Sequence, residues 1–311
     1  MEEEEEEEEE GKCLPVIDMQ KLEEDDGEQQ LKRLREASEE WGCFRIVNHK
    51  IPSSLMTEMK KVVREVLDLP MEIKMRNTDV IAGSGYMAPT QVNPLYEALG
   101  LYDLASSQSL RTFSSQLDLS PHQRETIEMY AEAIHELAID LGRMLAKSMG
   151  LASDLFKGWP CQFRINKYNF TPETVGSSGV QIHTDSGFLT ILQDDENVGG
   201  LEVMDKSGAF VSVDPWVGTL LVNLGDVAKA WSNGRFCNVK HRVQCKEACI
   251  RVSIASFLLG PKEEAVEAPP ELVDSDNPRQ FLPFTYEEYR KLRLSTKLQA
   301  GEALQFVRTN P

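Results

Sequence analysis

The spacing of apolar residues differs between the two halves of the chain. In the first half, leucine, isoleucine and alanine recur every three or four residues, which places them along one face of a helix. The pattern predicts helices over 29–41, 53–69 and 120–150, and strands over 14–17 and 43–47. Residues 77–113 are rich in Gly, Pro, Asn and Ser, so we predict a long irregular segment there, of the kind that often carries binding residues.

After Pro160 the apolar residues form short runs, with turn pairs such as Gly199-Gly200 and Asn233-Gly234 between them. These runs predict strands over 163–168, 180–183, 188–193, 201–204, 210–213, 220–223, 239–243 and 251–259. Many short strands at this spacing are typical of a sandwich or a jelly-roll barrel. A last helix is predicted over 286–297. The expected fold is therefore mainly β with flanking helices, in which a helical N-terminal half packs on a β-barrel half.

Charge narrows the range of partners. The 311 residues include 51 acidic and 33 basic side chains, which gives a net charge of −18. Nine of the acids form one run, Glu2–Glu10, within a tail over 1–12 that we expect to be disordered. The remaining chain is still acidic and would repel nucleic acid and anionic membranes, so we expect neither as a partner. The composition gives no oligomeric state.

The expected location is the cytoplasm. The chain has no run of about 20 apolar residues that could span a membrane, and its start is acidic where a targeting peptide would be basic. Its six cysteines are therefore expected to be reduced. Cys237, Cys245 and Cys249 lie near His241 at spacings of four, but the CxxC pair common in structural zinc sites is absent, so buried thiols are the preferred interpretation.

Two histidines in the strand-rich half suggest a metal centre. One residue separates His183 from Asp185, so on a strand both side chains point to the same face. His241 can supply a third ligand from another predicted strand. Two histidines and one carboxylate leave open positions on the metal, as in non-haem Fe(II) oxygenases. A zinc hydrolase would accept the same ligands, so the metal stays open at this point.

Arg251 and Ser253 favour iron over zinc. They lie two residues apart on the last predicted strand and therefore share a face, which looks into the barrel if His241 does. A buried arginine next to a hydroxyl can bind a carboxylate through two charge-assisted hydrogen bonds. A zinc hydrolase has no need of such a group at this place, whereas an Fe(II) enzyme that uses 2-oxoglutarate must hold the carboxylate that lies far from the metal.

These residues together resemble the HxD…H…RxS pattern of plant 2-oxoglutarate/Fe(II) dioxygenases. The matching passages are His183-Thr184-Asp185, His241 and Arg251-Val252-Ser253. In addition, Asn166-Lys167-Tyr168 is similar to the family's NxY element, whose tyrosine hydroxyl contacts 2-oxoglutarate, and Trp41-Gly42-Cys43-Phe44 is similar to its N-terminal WGFF block. The resemblance extends from about Leu14 to Ala303.

The resemblance implies a fold and a chemistry. The fold would be a double-stranded β-helix (jelly roll), with a mainly helical N-terminal region over 13–160 and the dioxygenase domain, including a C-terminal helix, over 161–311. His183, Asp185 and His241 would bind Fe(II). Arg251, Ser253, Tyr168 and Asn166 would bind 2-oxoglutarate. With O2 as the oxidant, CO2 and succinate would be the co-products.

A finer resemblance points to a substrate. Residues 76–80, 93–97, 241–248 and 300–304 resemble the plant auxin-oxidising dioxygenases, which convert indole-3-acetic acid to 2-oxindole-3-acetic acid. A small aromatic carboxylic acid needs an apolar slot and a donor for its carboxylate. The candidate residues are Phe188, Phe257, Tyr86, Tyr96 and Phe113 for the slot, and Tyr96 or Arg111 for the donor. A gibberellin or a phenylpropanoid is the alternative substrate, and a non-catalytic or zinc-bound barrel that serves as a binding module is the alternative outside this class.

Overall fold

The structure is a computed structural model and describes residues 14–22, 27–79, 81, 83–152 and 155–309. The predicted tail over 1–12 lies outside these residues. The helices are α1 (Gly27–Glu40), α2 (Ser53–Leu67), α3 (Met71–Lys74), α4 (Ser107–Gln116), α5 (Pro121–Ser148), α6 (Asp226–Trp231) and α7 (Tyr286–Thr296). The strands are β1 (Val16–Asp18), β2 (Cys43–Val47), β3 (Tyr96–Leu101), β4 (Cys161–Tyr168), β5 (Ser178–His183), β6 (Leu189–Gln193), β7 (Leu201–Met204), β8 (Phe210–Val213), β9 (Leu220–Leu224), β10 (His241–Gln244) and β11 (Arg251–Leu258).

The strands form two sheets, as the predicted jelly roll requires. The larger sheet has the order β1-β2-β9-β6-β11-β4-β3, and the smaller has the order β5-β10-β7-β8. Neighbouring strands are antiparallel except β1 and β2, which are parallel. The strands predicted over 201–204 and 210–213 are confirmed as β7 and β8. The mainly β architecture with flanking helices is thus as expected.

The larger sheet separates a helical layer from the interior of the barrel. Helix α5 begins with a capping box at Ser120, followed by proline in its first turn, and its apolar stripe is buried. On β4, Phe163 faces this layer, and its ring centroid lies 6.4 Å from that of Tyr130 on α5. Side chains alternate between the two faces of a strand, so Arg164, Asn166 and Tyr168 of β4 point to the other side of the sheet. The cavity described below lies on that side.

The N-terminal region is less purely helical than the sequence predicts. It contains α1 to α5, and it adds the two predicted strands β1 and β2, together with the unpredicted β3, to the larger sheet. The predicted irregular segment 77–113 includes β3 and the start of α4, which corrects that prediction. Every residue of β3 is buried, so the polar–apolar alternation that identifies a half-exposed strand is missing there. The division of the chain at residue 160 stays a prediction.

Within the described ranges, no helix has both the length and the apolar character needed to cross a membrane.

Candidate active site

Strand pairing brings the three predicted metal ligands together. His183 and His241 are register partners on β5 and β10, and their ring centroids are 4.2 Å apart. Asp185 follows β5, and its Oδ1 lies 3.8 Å from the Nε2 atom of each histidine. One ligand atom from each residue lies within 4.8 Å of the others, so the three could hold one metal ion.

Backbone contacts orient both imidazole rings. Nδ1 of His183 lies 2.8 Å from the carbonyl oxygen of Gln181, and Nδ1 of His241 lies 3.2 Å from that of Val239. Since a carbonyl oxygen can only accept, each Nδ1 carries the proton and each Nε2 keeps its lone pair. This is the arrangement that metal-binding histidines usually show. The donor set therefore fits a divalent transition metal.

Electrostatics keeps His183 neutral. Desolvation and the neighbouring His241 lower the pKa of His183 to about 4, and this effect exceeds the opposing one of Asp185. A neutral imidazole is the form that binds metal. Asp185 is held in turn by Thr190, whose hydroxyl donates to Oδ2 over 2.5 Å, which leaves Oδ1 to face the two histidines.

Helix α7 stabilises the segment 183–185, which carries two of the three metal ligands. Arg293 donates to the carbonyl oxygen of Thr184, the residue between the two first ligands, over 2.7 Å. The same guanidinium forms an ion pair with the fully buried Asp226, whose backbone N–H donates to the carbonyl oxygen of Asp185 over 2.9 Å. The sequence did not predict the pairing of Arg293 with Asp226, because the two lie 67 residues apart and share no local pattern.

The residues of the predicted co-substrate site also meet through strand register. On β11 and β4, Arg251 is paired with Tyr168, and Ser253 is paired with Asn166. Arg251 is 1% exposed, and its guanidinium carbon lies 4.9 Å from the centroid of the Tyr168 ring. Burial raises the pKa of the Tyr168 hydroxyl above its ordinary value, so this group stays protonated and can donate a hydrogen bond.

Arg251 keeps unused donors. Its Nη2 donates to Asp194, a partner that the sequence analysis did not identify. In the described part of the chain, its buried Nε and Nη1 have no hydrogen-bond partner. Buried donors without partners are rare and costly, so these two are suited to an anionic ligand.

Both groups of residues open onto one cavity of about 360 Å³ between the sheets. Its apolar wall includes Met87, Val92, Val180, Leu192, Leu201 and Phe257. Arg251 and Arg164 supply cationic side chains to this wall. Arg164 donates to the carbonyl oxygen of Gly83 and to the sulfur of Met87, and both of these partners are uncharged. The cavity can therefore take an apolar molecule that carries an anionic group.

The predicted substrate-pocket residues divide into two sets. Tyr96 and Phe257 line the cavity, whereas Phe188, Tyr86, Phe113 and Arg111 are not part of its wall. Phe188 is fully buried in an aromatic cluster, 4.7 Å from Phe156 and 5.3 Å from Trp231.

The other three residues have different surroundings. Phe113 lies on α4 and packs into the core, and the Tyr86 hydroxyl donates to Glu97 over 3.1 Å. Arg111 is exposed on α4, where it donates to Gln108 over 3.1 Å. Arg164, which the sequence analysis did not propose as an anchor, lines the cavity because residues 164, 166 and 168 share one face of β4.

Comparisons with known proteins agree with this geometry. The profile of the 2OG-Fe(II) oxygenase superfamily matches residues 159–260, and that of the non-haem dioxygenase in morphine synthesis N-terminal region matches residues 14–111. The 2-oxoglutarate-dependent dioxygenase DAO of Oryza sativa subsp. indica is 54% identical over 94% of this chain and 97% of its own length. This chain belongs to the 2OG-Fe(II) oxygenase superfamily.

Solved structures of this superfamily show the same fold. The crystal structure of the dioxygenase for auxin oxidation in rice has a TM-score of 0.90 at 52% identity and covers 96% of this chain and all of its own. The complex of dioxygenase for auxin oxidation 1 from Arabidopsis thaliana with 2-oxoglutarate has a TM-score of 0.83 at 60% identity and covers 86% of this chain and 100% of its own. The predicted class, an Fe(II)- and 2-oxoglutarate-dependent dioxygenase, is confirmed.

Proposed function

We propose that this dioxygenase oxidises indole-3-acetic acid to 2-oxindole-3-acetic acid and thereby inactivates auxin. The main support is that the three metal-ligand side chains lie beside an apolar cavity lined by two cationic groups, Arg251 and Arg164. The relatives in rice and Arabidopsis are described as dioxygenases for auxin oxidation, which supports the same substrate here.

In this proposal His183, Asp185 and His241 hold Fe(II), and Nε2 of each histidine is the coordinating atom. Bound Fe(II) supplies the activation of O2. One oxygen atom of O2 enters succinate as 2-oxoglutarate loses CO2, and the other enters the indole product, so the reaction balances. The protein residues position both substrates and keep bulk water away from the cavity.

Arg251, Ser253, Tyr168 and Asn166 hold 2-oxoglutarate. Nε and Nη1 of Arg251 have no acceptor among the described residues, and the far carboxylate of 2-oxoglutarate would supply one. The amide of Asn166 donates to the Ser253 hydroxyl over 3.3 Å and accepts from the Tyr96 hydroxyl over 2.8 Å. This chain of hydrogen bonds fixes the polar wall on which the co-substrate would lie.

Arg164 anchors the carboxylate of the auxin substrate. Arg251 is assigned to 2-oxoglutarate, and Arg164 lies on the same strand face as Asn166, two residues farther from Tyr168. A substrate held by its acid at Arg164 would pack its indole ring against Phe257 and the neighbouring apolar wall. The electron-rich bond between carbons 2 and 3 of the indole would then be the preferred site of oxidation by an electrophilic oxidant.

Product analysis tests the substrate. Purified enzyme with Fe(II), 2-oxoglutarate and indole-3-acetic acid should give a product heavier by one oxygen atom, together with succinate, both detected by mass spectrometry. A gibberellin and a phenylpropanoid are tested in parallel. Oxidation of either one, with indole-3-acetic acid untouched, would contradict the auxin assignment and leave only the dioxygenase class.

Two arginine variants test the anchor. Arg164→Met should raise KM for indole-3-acetic acid by an amount equivalent to about 1.5–3 kcal/mol, because a charged hydrogen bond is lost. The methyl ester of the substrate should bind equally to wild type and Arg164→Met. Arg111→Met is the matched control, since Arg111 is exposed and outside the cavity. A larger effect in Arg111→Met than in Arg164→Met would instead assign the binding of the substrate carboxylate to Arg111 on α4.

We further infer a cytoplasmic protein that has no nucleic-acid or membrane partner. The support is the net charge of −18, which opposes binding to anionic polymers and surfaces.

A further inference from the structure

The backbone next to Arg251 is held in an unusual way. Strand β11 is paired with β4 along its whole length, but on its other side β6 pairs only with Ile254–Leu258. Val252, between Arg251 and Ser253, therefore lies beyond the end of that ladder. Buried backbone N–H and C=O groups without hydrogen bonds would lower the stability of the fold and leave the neighbouring strand residues poorly positioned.

Two charged side chains replace the missing strand. Asp195 accepts from the backbone N–H of Val252 over 2.8 Å, and Nζ of Lys60, on α2, donates to the carbonyl oxygen of Val252 over 2.5 Å. Lys60 is 3% exposed and Asp195 is 2% exposed. Both are thus buried charged groups whose contacts include the backbone between the two predicted 2-oxoglutarate ligands. We call Lys60 and Asp195 the Val252 clamp.

We propose that the Val252 clamp is a positioning device for the co-substrate: Lys60 and Asp195 hold β11 so that Arg251 and Ser253 are aligned to bind the far carboxylate of 2-oxoglutarate. This inference rests on the proposed role of Arg251 and Ser253. Lys60 and Asp195 act through the strand and need not touch the co-substrate, which places them outside the residues assigned above.

The surroundings of Lys60 make the clamp sensitive to pH. Burial lowers the pKa of Lys60 to about 8, against the opposing effects of Asp195, Glu196 and Asp194. Arg251 on β11 also lowers it, and Arg64, one helical turn farther along α2, binds Glu196 over 2.8 Å. Lys60 is charged below about pH 8 and neutral above it, so its hydrogen bond to Val252 weakens as the pH rises.

A second cavity gives solvent a route to this lysine. It has a volume of about 220 Å³ and is lined by Lys60 and by the turn that follows β6, which carries Asp194, Asp195 and Glu196. Trp216 and Val217, which also line it, are 54% and 73% exposed. Lys60 can therefore exchange protons although it is almost fully buried.

Titration of Fe(II)-loaded enzyme with 2-oxoglutarate, without O2, tests the proposal by calorimetry and by the charge-transfer absorption of the chelate. Lys60→Met should raise the Kd for 2-oxoglutarate about tenfold, the size of one net hydrogen bond to a charged group. The Kd for Fe(II) and kcat at saturating 2-oxoglutarate should stay within about twofold of wild type. Lys61→Met is the matched control, because Lys61 is exposed and forms an ion pair with Glu58 across 3.0 Å, away from Val252.

The pH profile separates positioning from general stability. Wild-type affinity for 2-oxoglutarate should fall about threefold from pH 7 to pH 9, around the pKa of about 8, and Lys60→Met should lack this dependence. Glu196→Gln removes a negative charge 3.5 Å from Nζ of Lys60 while it leaves both Val252 contacts in place. The midpoint of the profile should therefore move to lower pH. This variant decides the matter if Lys60→Met does not fold.

Two results would overturn the proposal: unchanged affinity in Lys60→Met, or a profile whose midpoint does not move in Glu196→Gln. Arg251→Leu, measured in parallel, distinguishes a failure of the Val252 clamp from a failure of the assigned 2-oxoglutarate site. If Arg251→Leu loses affinity while Lys60→Met does not, only the clamp is contradicted. If neither variant loses affinity, the assignment of the 2-oxoglutarate site itself fails.

Discussion

The metal end of the cavity and its mouth are built in different ways. At the metal end, His183 and His241 face each other across paired strands, and Arg293 holds the loop between the first two ligands. At the mouth, Val92 is 68% exposed and belongs to a segment of turns and bends. Strand register thus positions the groups that carry the chemistry, whereas loop residues, which tolerate substitution, form the entrance.

The largest expected effect comes from the metal end. Asp185→Ala removes the anionic ligand and should lower turnover by more than about a hundredfold, with Fe(II) affinity reduced as well. The barrel should stay folded, because in the described ranges the Asp185 side chain accepts a single hydrogen bond, from Thr190. Succinate release, metal content and thermal melting are the measurements. Asp140→Ala on the exposed face of α5 is the control; near wild-type succinate release by Asp185→Ala would contradict the triad.

A smaller effect is expected where the cavity meets the co-substrate. Arg251→Leu should raise the requirement for 2-oxoglutarate by an amount equivalent to roughly 2–5 kcal/mol, because the far carboxylate would be buried without its charged partner. Iron affinity should hardly change. KM for 2-oxoglutarate and metal affinity are measured together, with Arg279→Leu, which breaks an ion pair to Glu267 outside the cavity, as control. An unchanged KM would assign the role to another cation.

The smallest effect is expected at Tyr96, a cavity residue whose hydroxyl contacts Asn166. Tyr96→Phe removes the hydroxyl that donates to Asn166 over 2.8 Å, and KM values should rise by the equivalent of about 0.5–1.5 kcal/mol while kcat changes little. Tyr86→Phe makes the same chemical change outside the cavity wall, at a hydroxyl bonded to Glu97, and should leave both KM values as in wild type. Equal effects in the two variants would remove the distinction between a cavity tyrosine and a structural one.

Local patterns predicted most of the barrel, and the exceptions have physical causes. Strand β7 alternates buried with half-buried residues, and the sequence showed the bounds of both β7 and β8. Strand β3 is buried on both faces, so it has no alternation to detect, and Gly100 within it adds a residue that disfavours strands. A Cβ on Gly100 would lie 2.4 Å from the carbonyl oxygen of Phe163, so close packing against β4 requires glycine there.

The sequence by itself determined the class of chemistry. HxD puts two ligands two residues apart, His183 at the end of β5 and Asp185 just after it. RxS places a cation and a hydroxyl on one face of β11, because the side-chain period of a strand is two. Only the tertiary structure decided which aromatic residues reach the cavity: Tyr96 and Phe257 line it, whereas Phe188 joins a separate cluster. It also revealed Lys60, 192 residues away from Val252. Contacts of this kind depend on how helices and sheets pack, and no spacing along the chain encodes that distance in space.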